Sequence, residues 1–125
     1  MELTPYHSKL SLYKAPTSVH KKHFFAFLSE HEKIYCSVLG RNVFLDKQPD
    51  AILKRSDCKY RLEAFPIGID ILKHAENFER WYKAGTSGYS IMGISRDGFH
   101  VTVHLREEID AKKDKKLFLI SVFYK

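Results

Sequence analysis

At 125 residues the chain has the length of one domain, enough to bury a core without disulfide or metal staples. A hydrophobic share of 44% and an aromatic share of 14% exclude a disordered or fibrous chain. The net charge of +6 and sequence pI of about 9.3 favour a polyanionic partner such as nucleic acid. That charge is spread along the sequence: Lys112, Lys113, Lys115 and Lys116 are interrupted by Asp114, and no arginine-rich block occurs. Cys36 and Cys58 are too few for a disulfide framework and lack zinc-ligand spacing. The N-terminal MELTPYHSKL lacks the apolar run of a signal peptide, and no stretch approaches a membrane span. A soluble, cytoplasmic protein is expected, with no cofactor and no metal.

In chain order, residues 1–16 hold two prolines and no hydrophobic period, and read as a surface arm dispensable for the core. Thr17 or Ser18 can cap a helix to about Lys33, with Phe24, Phe27, Leu28 and His31 on one side. Ile34–Leu39 reads as a strand, Gly40-Arg41-Asn42 as a turn and Val43–Asp46 as the partner strand. Pro49-Asp50 can open a short helix through Arg55. Lys59–Phe65 reads as another strand, ended by Pro66. Asp70 is then placed to cap a second helix, Ile71–Ala84, stopped by Gly85 and burying Ile71, Ala75, Phe78 and Tyr82.

The cleanest pattern comes last. Phe99–Ile109 alternates strictly, with Phe99, Val101, Val103, Leu105 and Ile109 on one face and Glu107 as its polar exception. The other face carries His100, Thr102, His104, Arg106 and Glu108. Asp97-Gly98 signals a two-residue type I′ turn from a strand at Gly88–Ser95. That register sets Ile94 opposite Val101, Met92 opposite Val103 and Tyr89 beside Arg106. Leu117–Lys125 is apolar on both faces and suits a central third strand, with Ser121 flanking the polar row. Early helices followed by a late meander predict an α+β fold, N-terminal helices packing on one face of a C-terminal antiparallel sheet.

Residues two apart on a strand face are separated by roughly 7 Å and residues four apart by roughly 13 Å. His100 and His104 therefore cannot share one metal ion. His104 with Arg106, or Arg106 with Glu108, can meet across one phosphodiester. Metal-independent RNA cleavage needs a base for the 2′-hydroxyl, a cation for the charge growing on phosphorus, and an acid for the leaving 5′-oxygen. The row holds these residue types: Arg106 for the phosphate, His104 and Glu108 for proton transfer, Tyr89 and Ser121 for orientation. His100, Thr102, Tyr124, Lys112 and Lys113 are the further candidates for RNA contact. A solvated strand face carries the same residue types by chance, and that account stands beside the functional one.

The His74-Ala75-Glu76 turn, the VHLREE strand at residues 103–108 and the terminal LISVFYK strand resemble the barnase–EndoU–colicin–RelE superfamily, in its phage-associated and polymorphic-toxin branches. The resemblance covers roughly residues 67–125. It implies a single nuclease domain of RelE- or barnase-like arrangement, with toxin-like endoribonuclease activity on tRNA or mRNA. It further implies action in a bacterial host cell and, in some members, an immunity protein or antitoxin as partner. A two-histidine-plus-lysine set of the EndoU kind does not align. A non-catalytic RNA-binding module of the same fold and a phage-encoded inhibitor that docks on a host protein are the alternatives.

Overall fold

One helix, apolar nearly all the way round from Leu62 to Leu72, fixes the architecture, because such a segment must be covered on more than one side. It belongs to a computed structural model that describes residues 4–12, 14–46, 52–109 and 112–125. In chain order the elements are β1 (Tyr6–His7), α1 (Thr17–Glu30), β2 (Lys33–Cys36), β3 (Arg41–Phe44), α2 (Cys58–His74), β4 (Glu79–Lys83), β5 (Thr86–Ile94), β6 (His100–Ile109) and β7 (Lys115–Tyr124). Among the described residues the fold is α+β, with these two helices and a curled, mixed seven-stranded sheet. The strands follow the order β1-β5-β6-β7-β3-β2, and β4 also pairs with β5.

The meander β5-β6-β7 is antiparallel as expected. The whole sheet is not, since β3 runs parallel to β7 and β1 parallel to β5. Helix α2 lies on one face, which we call the inner face. Its backbone comes so close that a Cβ on Gly68 would sit 2.7 Å from the Val122 methyls. Gly93 of β5 admits Ile71 in the same way, at 2.7 Å. Helix α1 covers α2 in turn, with Phe24 and Phe27 edge-on to Phe65 at 4.9 and 5.6 Å between ring centroids. Among the described residues, no helix is long and apolar enough to cross a membrane.

Several expectations are corrected. Lys59–Phe65 is not a strand: Leu62, Phe65, Ile69 and Leu72 form a buried helical stripe, and Pro66 sits inside α2. The helix interior loses one backbone hydrogen bond at Pro66; burial of the flanking turns compensates. Asp70 caps nothing, lying near the C-terminal end of that helix. The expected helix over Ile71–Ala84 ends at His74, and residues 79–83 form β4, with Phe78 and Tyr82 exposed. Ala84 and Gly85 take φ of +48° and +80° and join Lys83 to Thr86, the two-residue pattern of a type I′ turn. The opening of a short helix at Pro49-Asp50 lies outside the described residues.

The N-terminal arm is also more than a surface strap. Tyr6 and His7 pair with Gly93 and Ile94, and the amides of Leu12 and Arg96 bond to Asp97 Oδ1 and the Leu10 carbonyl at 3.3 and 2.8 Å. Asp70 Oδ2 accepts hydrogen bonds from the Tyr6 hydroxyl at 3.0 Å and from the buried Ser8 hydroxyl at 2.6 Å. Leu12 joins the core. Replacing Asp70 by Ala strands the Ser8 hydroxyl and frees β1. A loss of roughly 1–3 kcal/mol in urea unfolding is expected, with faster amide exchange at Ser8; unchanged exchange there would show that Asp70 does not hold the strand.

Candidate functional site

The β5–β6 register decides which side chains share the polar row. Ser95 and Phe99 close the hairpin through Ser95 N–H to Phe99 O at 2.8 Å, while Gly98 N–H reaches Ser95 O at 3.0 Å. The loop is therefore three residues, Arg96-Asp97-Gly98, with Gly98 at φ +91°. Ser95 Oγ reinforces it, accepting from the Phe99 amide at 2.9 Å and donating to Asp97 Oδ1 at 2.6 Å. That hydrogen bond from Ser95 holds the Asp97 carboxyl below its ordinary range.

The extra loop residue moves β5 by one position from the expected pairing. Ile94 faces His100, Met92 faces Thr102, Ser90 faces His104 and Gly88 faces Arg106. Tyr89 consequently turns to the inner face, opposite Leu105, where its ring meets Phe78 at 5.4 Å. It is not in the row. On β6 the alternation is as read: Val101, Val103 and Leu105 are fully buried, and His100, Thr102, His104, Arg106 and Glu108 lie on the outer face. Glu107 points inward, where Arg41 binds it at 2.6 Å and pulls its pKa down.

An irregularity in the β6–β7 pairing leaves Ile120 unpaired, so Leu105 faces Leu119 while His104 faces Ser121. Ser121 thus flanks His104 as expected. Phe123, opposite Thr102, brings its ring edge-on to the His104 ring at 5.2 Å. Tyr124 pairs with Val101, and its hydroxyl donates to Glu63 Oε2 at 3.3 Å. That places Tyr124 on the helix side, where burial and then Glu63 raise its pKa. Lys112 and Lys113 are exposed in the turn before β7.

One residue of the site was hidden from the sequence reading. Arg61, in the first turns of α2, carries its guanidinium over the Phe123 ring at 5.7 Å to the centroid. Asp57 steadies it, accepting from Arg61 Nε at 3.0 and 3.1 Å. Desolvation raises the Asp57 pKa, and the hydrogen bonds and charges of Arg61 and Arg55 outweigh it to leave a net lowering. Burial, and next the charge of Arg61, hold His104 below its ordinary value. Reading residues 59–65 as a strand concealed this placement; a helical period over Leu62, Phe65 and Ile69 was the signal that would have revealed it.

Beside His104 a row crosses the whole outer face. Trp81 pairs with Gly88, Gly88 with Arg106, Arg106 with Phe118, Phe118 with Phe44, and Phe44 with Lys33. Gly88 has no room for a Cβ, which would stand 2.0 Å from the Leu105 carbonyl oxygen and 2.3 Å from the Trp81 ring. Lys116 and Lys33 sit over the Phe44 ring at 4.9 and 5.9 Å. Arg106 Nη2 also binds Glu108 at 2.9 Å, which ties Glu108 to the phosphate-binding candidate instead of leaving it for proton transfer. Among the described residues, the buried side-chain polar atoms without a hydrogen-bond partner are Arg61 Nη1, Trp81 Nε1 and Arg106 Nε. All three are N–H donors. The row along the outer face thus interleaves cations with aromatic rings.

No family model matches the chain, and no curated protein or solved structure shows significant similarity to it.

The lowered pKa of His104 has a definite effect on stability. Unfolding returns the imidazole to its ordinary value of 6.5, so the unfolded chain binds the proton first as the solution is acidified. The contribution is complete above that value and is lost as pH falls through the folded one. In Arg61→Gln, NMR titration of His104 should show its pKa moved upward, with the part due to burial retained. An unmoved titration would mean that the guanidinium exerts no field on the ring.

Proposed function

We propose that the outer face binds single-stranded RNA and cleaves it without a metal ion, the chain acting as a toxin-like endoribonuclease. The cross-sheet row from Trp81 to Lys33 carries this reading, because it presents rings for stacking and cations for phosphates along one line beside a histidine held neutral. Base–aromatic stacking and backbone charge neutralisation are the two general means of gripping a single strand. A strand laid across β4, β5, β6, β7 and β3 would meet Trp81, then Arg106, then Phe44, with the buried Phe118 supporting the Phe44 ring from β7. The order of helices followed by an antiparallel meander supports a RelE- or barnase-like arrangement, and with it the superfamily resemblance.

In the cleavage step, neutral His104 takes the proton of a 2′-hydroxyl, and the resulting oxygen attacks the adjacent phosphorus. Arg61 and Arg106 stand on either side to take up charge on the non-bridging oxygens. The P–O5′ bond breaks, a 2′,3′-cyclic phosphate forms, and the leaving oxygen takes a proton from solvent. Ser121, opposite His104, orients the attacking hydroxyl. Histidine suits the base role because a pKa lowered from its ordinary value leaves the ring unprotonated at neutral pH.

The test is cleavage of total RNA and tRNA in EDTA, followed on a gel, with binding measured by anisotropy over a range of salt. His104→Ala should abolish cutting while leaving binding intact. Trp81→Ala should weaken binding by about 1–3 kcal/mol per base stacked there. Salt-dependent binding with no cutting by the parent protein would reduce the proposal to an RNA-binding module. Neither binding nor cutting would overturn it.

A further inference from the structure

On the helix side, away from the outer face, a pocket of about 380 Å³ opens between α1, α2 and the arm at Leu10 and Ser11. Its walls are apolar, built from Phe24, Phe27, Leu62, Phe65, Pro66 and Ile69, with His20 and His23 from α1. Its volume lies within the usual range for small-molecule sites. The unusual member of the wall is Glu63, a carboxylate on α2 that is 97% removed from solvent, its exposure being 3%.

A buried carboxylate is stable only when donors and an opposite charge replace its lost water. Among the described residues, Glu63 has the Tyr124 hydroxyl at 3.3 Å as its hydrogen-bond donor and no cation paired to it. The pocket wall thus holds a buried carboxyl group with acceptor capacity to spare, beside three phenylalanine rings. Aromatic faces attract cations and flat apolar groups alike. We infer that this pocket binds a small organic cation with an aromatic or apolar body, its amine or amidine seated on Glu63. The inference is independent of RNA, since neither Glu63 nor the phenylalanines lie on the outer face.

Benzamidine serves as the probe, with neutral benzamide and anionic benzoate as matched controls, each titrated into the full chain and followed by NMR. Benzamidine should saturate, shift the resonances of Leu62, Phe24 and Phe65, and bind roughly tenfold more tightly than benzamide, the value of a charge-assisted hydrogen bond. Benzoate should not bind there. Glu63→Gln should erase the preference for benzamidine over benzamide. If that variant fails to fold, His23→Trp at the exposed rim should block the probe while the wild-type preference still reports the charge. Equal binding of benzamidine and benzamide to the parent protein, or no saturation by benzamidine at millimolar concentration, would overturn the inference.

Discussion

What β5 contributes to the outer face, and what it buries, depends on the loop between β5 and β6. Ser95 and Phe99 pair across three residues, and Gly98 takes the left-handed conformation that lets the chain re-enter the ladder. A two-residue turn would shift β5 by one place and send its alternate side chains to the opposite face. Tyr89, Ile91 and Gly93 would then leave the core, and Ile71 would lose the space that Gly93 gives it. Packing of α2 and the composition of the cross-sheet row are therefore two results of one register. The same loop also grips the N-terminal segment through Leu10 and Leu12.

The face alternation of β6 was legible in the sequence because period-two patterning over a long strand has no rival reading. Val101, Val103 and Leu105 went inward, and His104 and Arg106 outward, as their order dictates. The same holds for Ser121 beside His104, since β7 could only be the neighbour of β6. The register of β5 was not legible, because Asp97-Gly98 fits a two-residue turn and the end of a three-residue one equally well. What separates them is the hydroxyl of Ser95, whose bonds to Asp97 and Phe99 favour the longer loop.

Around α2 the local signals misled in two directions. Pro66 is a strong breaker, yet here it occupies a helix buried against the sheet and α1, where tertiary packing outweighs one missing hydrogen bond. Gly85 suggested a helix stop, yet it ends a hairpin whose first turn residue is Ala84, an unusual residue at positive φ. With the helix displaced, Arg61 was lost from the candidate site; Tyr89 entered it for a separate reason, the one-residue shift of β5. The cross-sheet row was out of reach as well: Trp81 and Lys33 enter it only through pairings between distant parts of the chain.

The two parallel pairs bear on how the molecule assembles. β1 joins β5 through Tyr6 and Gly93, and β3 joins β7 through Val43 and Leu117. Each demands closure of a long loop before any contact rewards it, and such closures slow folding. The β2–β3 hairpin and α1 can form early, but β3 keeps an unpaired edge until residues 115–124 arrive. The folding barrier should therefore sit at the docking of β7 between β6 and β3, and the half-finished sheet is the species most open to capture by another chain.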